Sequence, residues 1–334
     1  MSIETAPADQ AGGSTPGAIL VAGAGGFIGS HLVRALAARG DSVHALVRPG
    51  TSLARLEDLV DRIAVHRVDA CDQEALHDCL RAVRPAAVVN AVKSRPNRDR
   101  PLSAVYDNVM AAANLLVSAA DSGCARFVQL GSSTEYEARP GRLDESTPLR
   151  PTSVHGATKA AASQICQALA AELGVRLVVL RPFQVYGPWD APSHLVPAAI
   201  AAALDDRELV LAPRGRRDWI FISDVIEACL LTLDAGLDGE DLNLGSGRQW
   251  RNEEVVETIG RLSGRRIRVR LDEHAGRPWD RDDWRADSSK AGALLGWKPR
   301  HDLASGLEAT IAWEHERRSR PAATLCAGEV QTAE

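Results

Sequence analysis

The amino-acid sequence predicts an α/β fold: a doubly wound parallel sheet with a smaller region on its C-terminal side. Three observations predict it. From residue 18 to residue 181, short and continuously apolar β-type runs alternate with Ala- and Leu-rich helical patterns. The first of these runs enters a glycine-rich turn that opens a helix. Beyond Arg181 the regularity weakens, and proline, tryptophan and arginine become more frequent. Strands that are apolar along their whole length need cover on both faces, which a parallel sheet between two helical layers provides.

Strands are expected at Ala18–Ala22, Ser42–Val47, Ile63–Val68, Ala87–Ala91, Arg126–Leu130 and Arg176–Leu180. Helices are expected between them at Ile28–Arg39, Gln73–Arg84, Val105–Ser122 and Thr158–Glu172. The second half carries helical patterns at Leu195–Leu204, Asp224–Asp234, Asn252–Leu262, Lys290–Leu295 and Leu303–Glu316, separated by longer loops. Residues 1–17 are small, polar and acidic, with almost nothing to bury, and read as a flexible tail. Residues 18–181 form the expected sheet domain. Residues 182–316 read mainly as a pocket-forming region, with some segments free to return to the sheet, and 317–334 read as a second tail. No internal repeat of fixed period is visible.

The 334 residues suffice for a substantial core. A hydrophobic share of 45% and a charged share of 25% are those of an ordinary globular chain. The formal net charge of −5 argues against a generally nucleic-acid-binding surface. Six scattered cysteines show no metal-ligand spacing and read as reduced thiols, so a cytoplasmic protein without a metal site is expected. No apolar run approaches the roughly 20 residues that span a bilayer, and no signal peptide is visible.

The first chemical motif is Gly23-Ala24-Gly25-Gly26-Phe27-Ile28-Gly29, placed between a strand and a helix. Glycine allows a tight turn and close backbone approach to a pyrophosphate, which then sits at the positive end of the helix. The strand–turn–helix order makes this a dinucleotide site rather than a loop with incidental glycines. At the end of the second strand, where an NAD site usually carries a ribose-binding acid, stand Val47 and Arg48. A missing carboxylate and a planar guanidinium suit a 2′-phosphate, so NADP is expected ahead of NAD; the other reading leaves Arg48 as a surface residue.

The Gly23, Gly26, Gly29 spacing resembles the extended short-chain dehydrogenase/reductases of the NAD-dependent epimerase/dehydratase kind. Further matches follow in order: Asp69, Asn90-Ala91, Asn108, Asn114-Leu115-Leu116, Ser132-Ser133-Thr134, Arg181-Pro182-Phe183-Gln184-Val185-Tyr186-Gly187-Pro188, Arg217 to Val225, Asn243 to Gly247 and Leu295 to Pro299. The resemblance covers about residues 18 to 314. It implies a Rossmann fold and a nucleotide-sugar substrate. It places Gly23, Gly26, Phe27, Ile28, Gly29, Arg48, Asp69, Ala70, Asn90, Ala91, Asn108, Lys159 and Pro182 at the cofactor, with Asp69 near the adenine and Lys159 on the nicotinamide ribose. It assigns Ser132 and Thr134 to the reacting oxygen, and Ser133, Gln184, Tyr186, Arg217 and Arg277 to the substrate. Arg217 and Arg277 can instead pair with Asp218 and Asp280. Tyr186 and Trp219 can equally belong to the core.

The family pairs a catalytic Tyr with a Lys four residues on, one helical turn apart. Pro151 to Lys159 matches that surrounding pattern but carries His155 where the Tyr stands. Beside a lysine the cationic imidazole is disfavoured, and a neutral imidazole can still donate one N–H or accept one proton. Family dehydratases place an Asp-Glu pair where this chain has Ser133 and Thr134. The stretch Gly131 to Tyr136 resembles ketoreductases of deoxysugar biosynthesis. The expectation is therefore NADPH-dependent reduction of a 4-keto-6-deoxy sugar nucleotide. A 4-epimerase retaining NAD is the first alternative, and a non-catalytic nucleotide-binding protein the second. A homodimer through the helices near Val105 and Thr158 is implied by the resemblance, and neither membrane nor nucleic acid is an expected partner.

Overall fold

The computed structural model describes residues 17–94, 102–212, 215–272 and 284–319. β1 (Ile19–Ala22) leads into α1 (Phe27–Arg39); β2 (Val43–Val47) and β3 (Ala64–Arg67) follow, and α2 (Gln73–Val83) precedes β4 (Ala87–Asn90). Next come α3 (Ser103–Val105), a π-helical turn (Tyr106–Met110) and α4 (Ala111–Asp121), continuous with one another, and then β5 (Arg126–Leu130). After β6 (Arg142–Leu143), α5 (Val154–Leu173) leads to β7 (Arg176–Pro182) and β8 (Gln184–Tyr186). The second half holds α6 (Leu195–Leu204), β9 (Glu208–Leu211), β10 (Arg216–Phe221), α7 (Ile222–Asp234), β11 (Glu240–Leu244) and β12 (Gln249–Arg251). It closes with α8 (Asn252–Ser263), β13 (Arg268–Leu271), β14 (Arg285–Ala286), α9 (Ser289–Leu295) and α10 (Leu303–Ser319).

Seven strands form the main sheet in the order β11-β7-β5-β4-β1-β2-β3, all parallel. The chain runs outward from β1 in one direction and returns to continue from β4 in the other. This is the switch point that opens a crevice at the carboxyl ends of the strands. Successive β1 residues feed opposite faces. Ile19 and Val21 join Leu32, Val33 and Leu36 of α1 and Val225 of α7. Leu20 and Ala22 join Leu76 and Leu80 of α2, Leu115 of α4 and Ala162 and Cys166 of α5. The doubly wound architecture is the one expected, and the six expected strands all form.

Differences concentrate in the second half. The pocket region read from residue 182 gives a strand back to the sheet, since β11 pairs with β7 from Glu240↔Val178 to Leu244↔Pro182. Three smaller sheets, β12-β10-β8, β13-β9 and β14-β6, form apart from the main one. Their strands are short and carry arginines and glutamates, so no apolar run announces them. The single helix read at Val105–Ser122 starts at Ser103 and contains the π turn. α5 starts at Val154, because the Ser153 hydroxyl caps it by accepting from the Gly156 N–H. The last helix runs on to Ser319, inside the segment read as a tail. No helix among the described residues is long and apolar enough to cross a membrane.

Candidate active site

The glycine motif, Arg48, Asp69, Asn90 and Ser132 lie at or just beyond the ends of parallel strands. After β1, Gly23 takes a left-handed conformation with φ of 75°. Any side chain there would strike the Ala91 backbone at 2.8 Å. Gly29 lets α1 close on the turn, because a Cβ at this position would lie 2.2 Å from the Gly23 carbonyl oxygen. Exposed Gly26 caps α1, so the helix's first N–H groups at Phe27 and Ile28 face outward from the turn. This cradle leaves backbone room that only a side-chain-free turn provides, and it fits a dinucleotide pyrophosphate.

Arg55, which the sequence did not single out, braces the cradle. Its Nη1 donates to the Gly25 carbonyl at 3.0 Å, while Nε and Nη2 donate to the Trp189 carbonyl at 3.2 and 3.0 Å. Trp189 itself holds φ of 66° and packs on Trp313 of α10. One guanidinium thus ties the glycine turn to the loop after β8. No periodic pattern or motif marks this residue in the sequence.

Beyond β2 and β3 the charges sit differently from expectation. Arg48 is half-exposed and pairs with Asp107 at 3.4 Å. Asp69 accepts from the Cys71 N–H at 3.0 Å. Burial, with Asp69 and Asp107 adding to it and Arg48 opposing, pushes the Cys71 thiol up to about 11. Arg48 therefore already has a carboxylate partner, and the Arg67 guanidinium reaches the same loop at the Thr51 carbonyl, 3.1 Å away. Ala70 is buried, its carbonyl accepting from the Asn114 side chain.

After β4, buried Asn90 donates to Gln129 at 2.9 Å and accepts from the Val92 N–H. It fixes the strand ends, and Ala91 hangs on β1 by its N–H to the Ala22 carbonyl. Asn108 lies in the π turn, accepts from the Ser94 N–H at 2.9 Å and donates to the Thr158 hydroxyl at 2.8 Å. It thereby joins the segment after β4 to the first turns of α5. π turns inside helices are frequent at functional sites.

The residues expected to carry the reaction converge after β5. The Ser132 and Thr134 hydroxyls are 2.8 Å apart, and the Thr134 N–H donates to Ser132 Oγ. Gly156 brings α5 against this turn, since a Cβ there would lie 2.2 Å from the Thr134 carbonyl oxygen. The neighbour of that glycine is His155, half-buried in the first turn of α5. One turn on, Lys159 donates to the carbonyls of Val92 and Leu130 at 2.9 and 2.8 Å. Burial pulls its ammonium down to about 8, with Glu135 opposing the fall. Ser133 is buried, and its hydroxyl accepts from the indole N–H of Trp284 at 3.1 Å. Trp284 is a second residue that sequence reasoning passed over.

The residues expected at the substrate divide. Gln184 lies half-buried on β8 beside Pro182, which is buried at the end of β7. Arg217 on β10 faces Trp250 across the ladder to β12. The carboxylate of its neighbour Asp218 accepts from the Ser246, Gly247 and Ala286 N–H groups, stapling that corner. Tyr186 corrects the expectation. It is 1% exposed, packs on Trp219 and Phe221, and gives its hydroxyl to the Leu303 carbonyl, so it is a core residue and not a pocket wall. Trp219 is buried with it. Arg277 lies outside the described residues.

Residues 19–245 match the NAD dependent epimerase/dehydratase family. The chain is 31% identical over 317 residues to a dTDP-glucose 4,6-dehydratase of Streptomyces niveus, covering 90% of this chain and 94% of that one. Its fold is similar to the UDP-glucose 4-epimerase of Thermus thermophilus in complex with NAD, with a TM-score of 0.81, 27% identity, and 91% and 100% of the two chains covered. It is also similar to Bacillus cereus UDP-glucuronic acid 4-epimerase in complex with UDP-glucuronic acid and NAD, with a TM-score of 0.81, 25% identity and 90% and 99% covered.

Proposed function

The chain belongs to the NAD-dependent epimerase/dehydratase family, and from that premise we propose that it is a nucleotide-sugar 4-epimerase working with bound NAD. One observation carries the reading: Ser132, Thr134, His155 and Lys159 gather at the ends of β4 and β5 with no carboxylate pair among them. The dehydratase reading requires such a pair. Ser133 and Thr134 occupy its positions, and the one acid of the turn, Glu135, is fully buried against Arg181. Chemistry confined to C4 remains.

The glycine cradle with Arg55 behind it would hold the pyrophosphate, and Lys159 the nicotinamide ribose. When bound, NAD supplies reversible hydride transfer at C4 of the sugar. His155 takes the proton of the C4 hydroxyl on an imidazole nitrogen and gives it back to the oxygen after the sugar has turned. Ser132, held by Thr134, donates to the same oxygen. Arg217 and Gln184 supply polar contacts from the second half. NAD is preferred to the expected NADP because Arg48, the guanidinium read as the 2′-phosphate ligand, is paired with Asp107. Exposed Tyr106 and Met110, with Val154 and Ile165 of α5, form the apolar face through which two copies pair.

The 4-ketoreductase is the second reading, favoured by the Gly131 to Tyr136 stretch. Purified protein incubated with UDP-glucose, UDP-glucuronic acid or dTDP-glucose and NAD decides between them, with products read by proton NMR. Inversion at C4 is expected, lost in His155→Phe, with calorimetry showing tighter binding of NAD than of NADP. Consumption of NADPH by a 4-keto-6-deoxy sugar nucleotide, without inversion, would replace the epimerase by the reductase. Binding without any turnover across both panels would leave the non-catalytic reading.

A further inference from the structure

Behind Ser132 lies a carboxylate that the reaction does not touch. Glu135 is 0% exposed and Arg181 1% exposed. Glu135 Oε1 accepts from the Ser132 N–H at 2.7 Å and from the Ser163 hydroxyl at 3.3 Å. Its Oε2 accepts from Arg181 Nε at 2.8 Å, and Arg181 Nη1 continues to Asp241 at 2.8 Å. Ser163 is one helical turn beyond Lys159, and the Leu130 carbonyl that Lys159 holds lies just before Gly131. Gly131 leaves the room that admits the acid, since a Cβ there would lie 2.5 Å from Glu135 Oε1.

A neutral residue would hold the turn at lower cost, because an isolated buried carboxylate is expensive. The charge has a use if it answers another charge. Arg181 is shared by both acids, Glu135 and Asp241, and Glu135 also flanks Gly131, next to the Leu130 carbonyl that holds Lys159. The groups acting on Lys159 are Glu135 from the Ser133–Glu135 turn, Lys93 from the segment after β4, and Cys166 from α5 itself. Glu135 is the one carboxylate among them.

We propose that Glu135 is a positioning residue of this site: it fixes the Ser132 turn and provides the buried negative charge that keeps Lys159 an ammonium. The proposal rests on reading Ser132 and Lys159 as the groups beside the reacting carbon. Its test needs no turnover. The chain has four lysines, Lys93, Lys159, Lys290 and Lys298, so a lysine-labelled full chain gives a resolvable NMR titration, with Lys159→Arg identifying the signal. In Glu135→Gln the Lys159 midpoint should fall by about one unit, the direction expected on losing a buried opposite charge. The other three midpoints should hold, and kcat should fall with KM kept, most steeply at alkaline pH. If Glu135→Gln does not fold, Glu135→Asp keeps a partner charge for Arg181 on a side chain one methylene shorter, and a smaller fall of the same sign is expected. An unchanged Lys159 midpoint in either folded variant overturns the proposal. A fallen midpoint in a protein without epimerase activity supports the proposal and removes only the reaction assigned above.

Discussion

At the scale of single residues, Lys159 carries the clearest pH consequence. Below about pH 8 folded and unfolded chains both hold its proton, and burial costs its full amount. Between about 8 and the ordinary lysine value of 10.5, the folded chain has released a proton that the unfolded chain still binds. Stability attributable to this group therefore rises with pH across that window and levels off above it. Compared with Lys159→Met, the wild-type chain should recover about 3 kcal/mol between pH 7 and pH 11, measured by urea unfolding at each pH. The difference holding constant over that range would show that the lysine is solvated in the folded state. Lys159, Ser132 and the glycines were legible in the sequence because each sits in a short local pattern whose residue types the chemistry demands. Glu135 was not: it stood in full view within the Ser132 stretch, but its role depends on Arg181, 46 positions away. Tyr186 misled for a related reason, since an aromatic with a hydroxyl suits a core with a carbonyl at hand as well as it suits a pocket.

Elements were legible to the extent that burial dictated their composition. β1, β4 and β5 lie between two helical layers, so their sequences had to be mostly apolar, with buried Asn90 and Gln129 bonding each other near the strand ends. β8 to β14, apart from β11, lie beside the sheet rather than inside it and keep charged residues such as Arg216, Arg268 and Arg285. Between these two classes stands the contact of Arg55, which joins the turn after β1 to the loop after β8. Replacing it with methionine removes charged donors from two carbonyls and releases Trp189 from its left-handed backbone. NAD affinity of Arg55→Met, measured by calorimetry, should fall about tenfold or more, given roughly 1.5–3 kcal/mol for a hydrogen bond from a charged group. Thermal stability should drop only modestly, because the residue is half-exposed. Unchanged affinity would mean that the glycine turn holds its shape unaided.

For the whole molecule, the proposed pairing of two copies rests on exposed apolar side chains of the π turn and α5. Glutamates at Met110 and Ile165 together should convert a dimer into a folded monomer, read by light scattering with circular dichroism as the control; these positions are 44% and 38% exposed. A wild-type chain already monomeric at micromolar concentration would remove the pairing. The other feature of the whole is the late arrival of β11. During synthesis β7 is complete long before the chain reaches Glu240, and until then its outer row of backbone N–H and C=O groups has no neighbour. An unpaired parallel strand of seven residues is a template for pairing with other chains. The nucleotide half therefore cannot finish as a self-contained body on the ribosome, and a fragment ending near Arg181 or Pro182 should be aggregation-prone unless the remaining half is supplied in trans. Two genes encoding the halves would have to be made together, because the seal of the first sheet is written in the second.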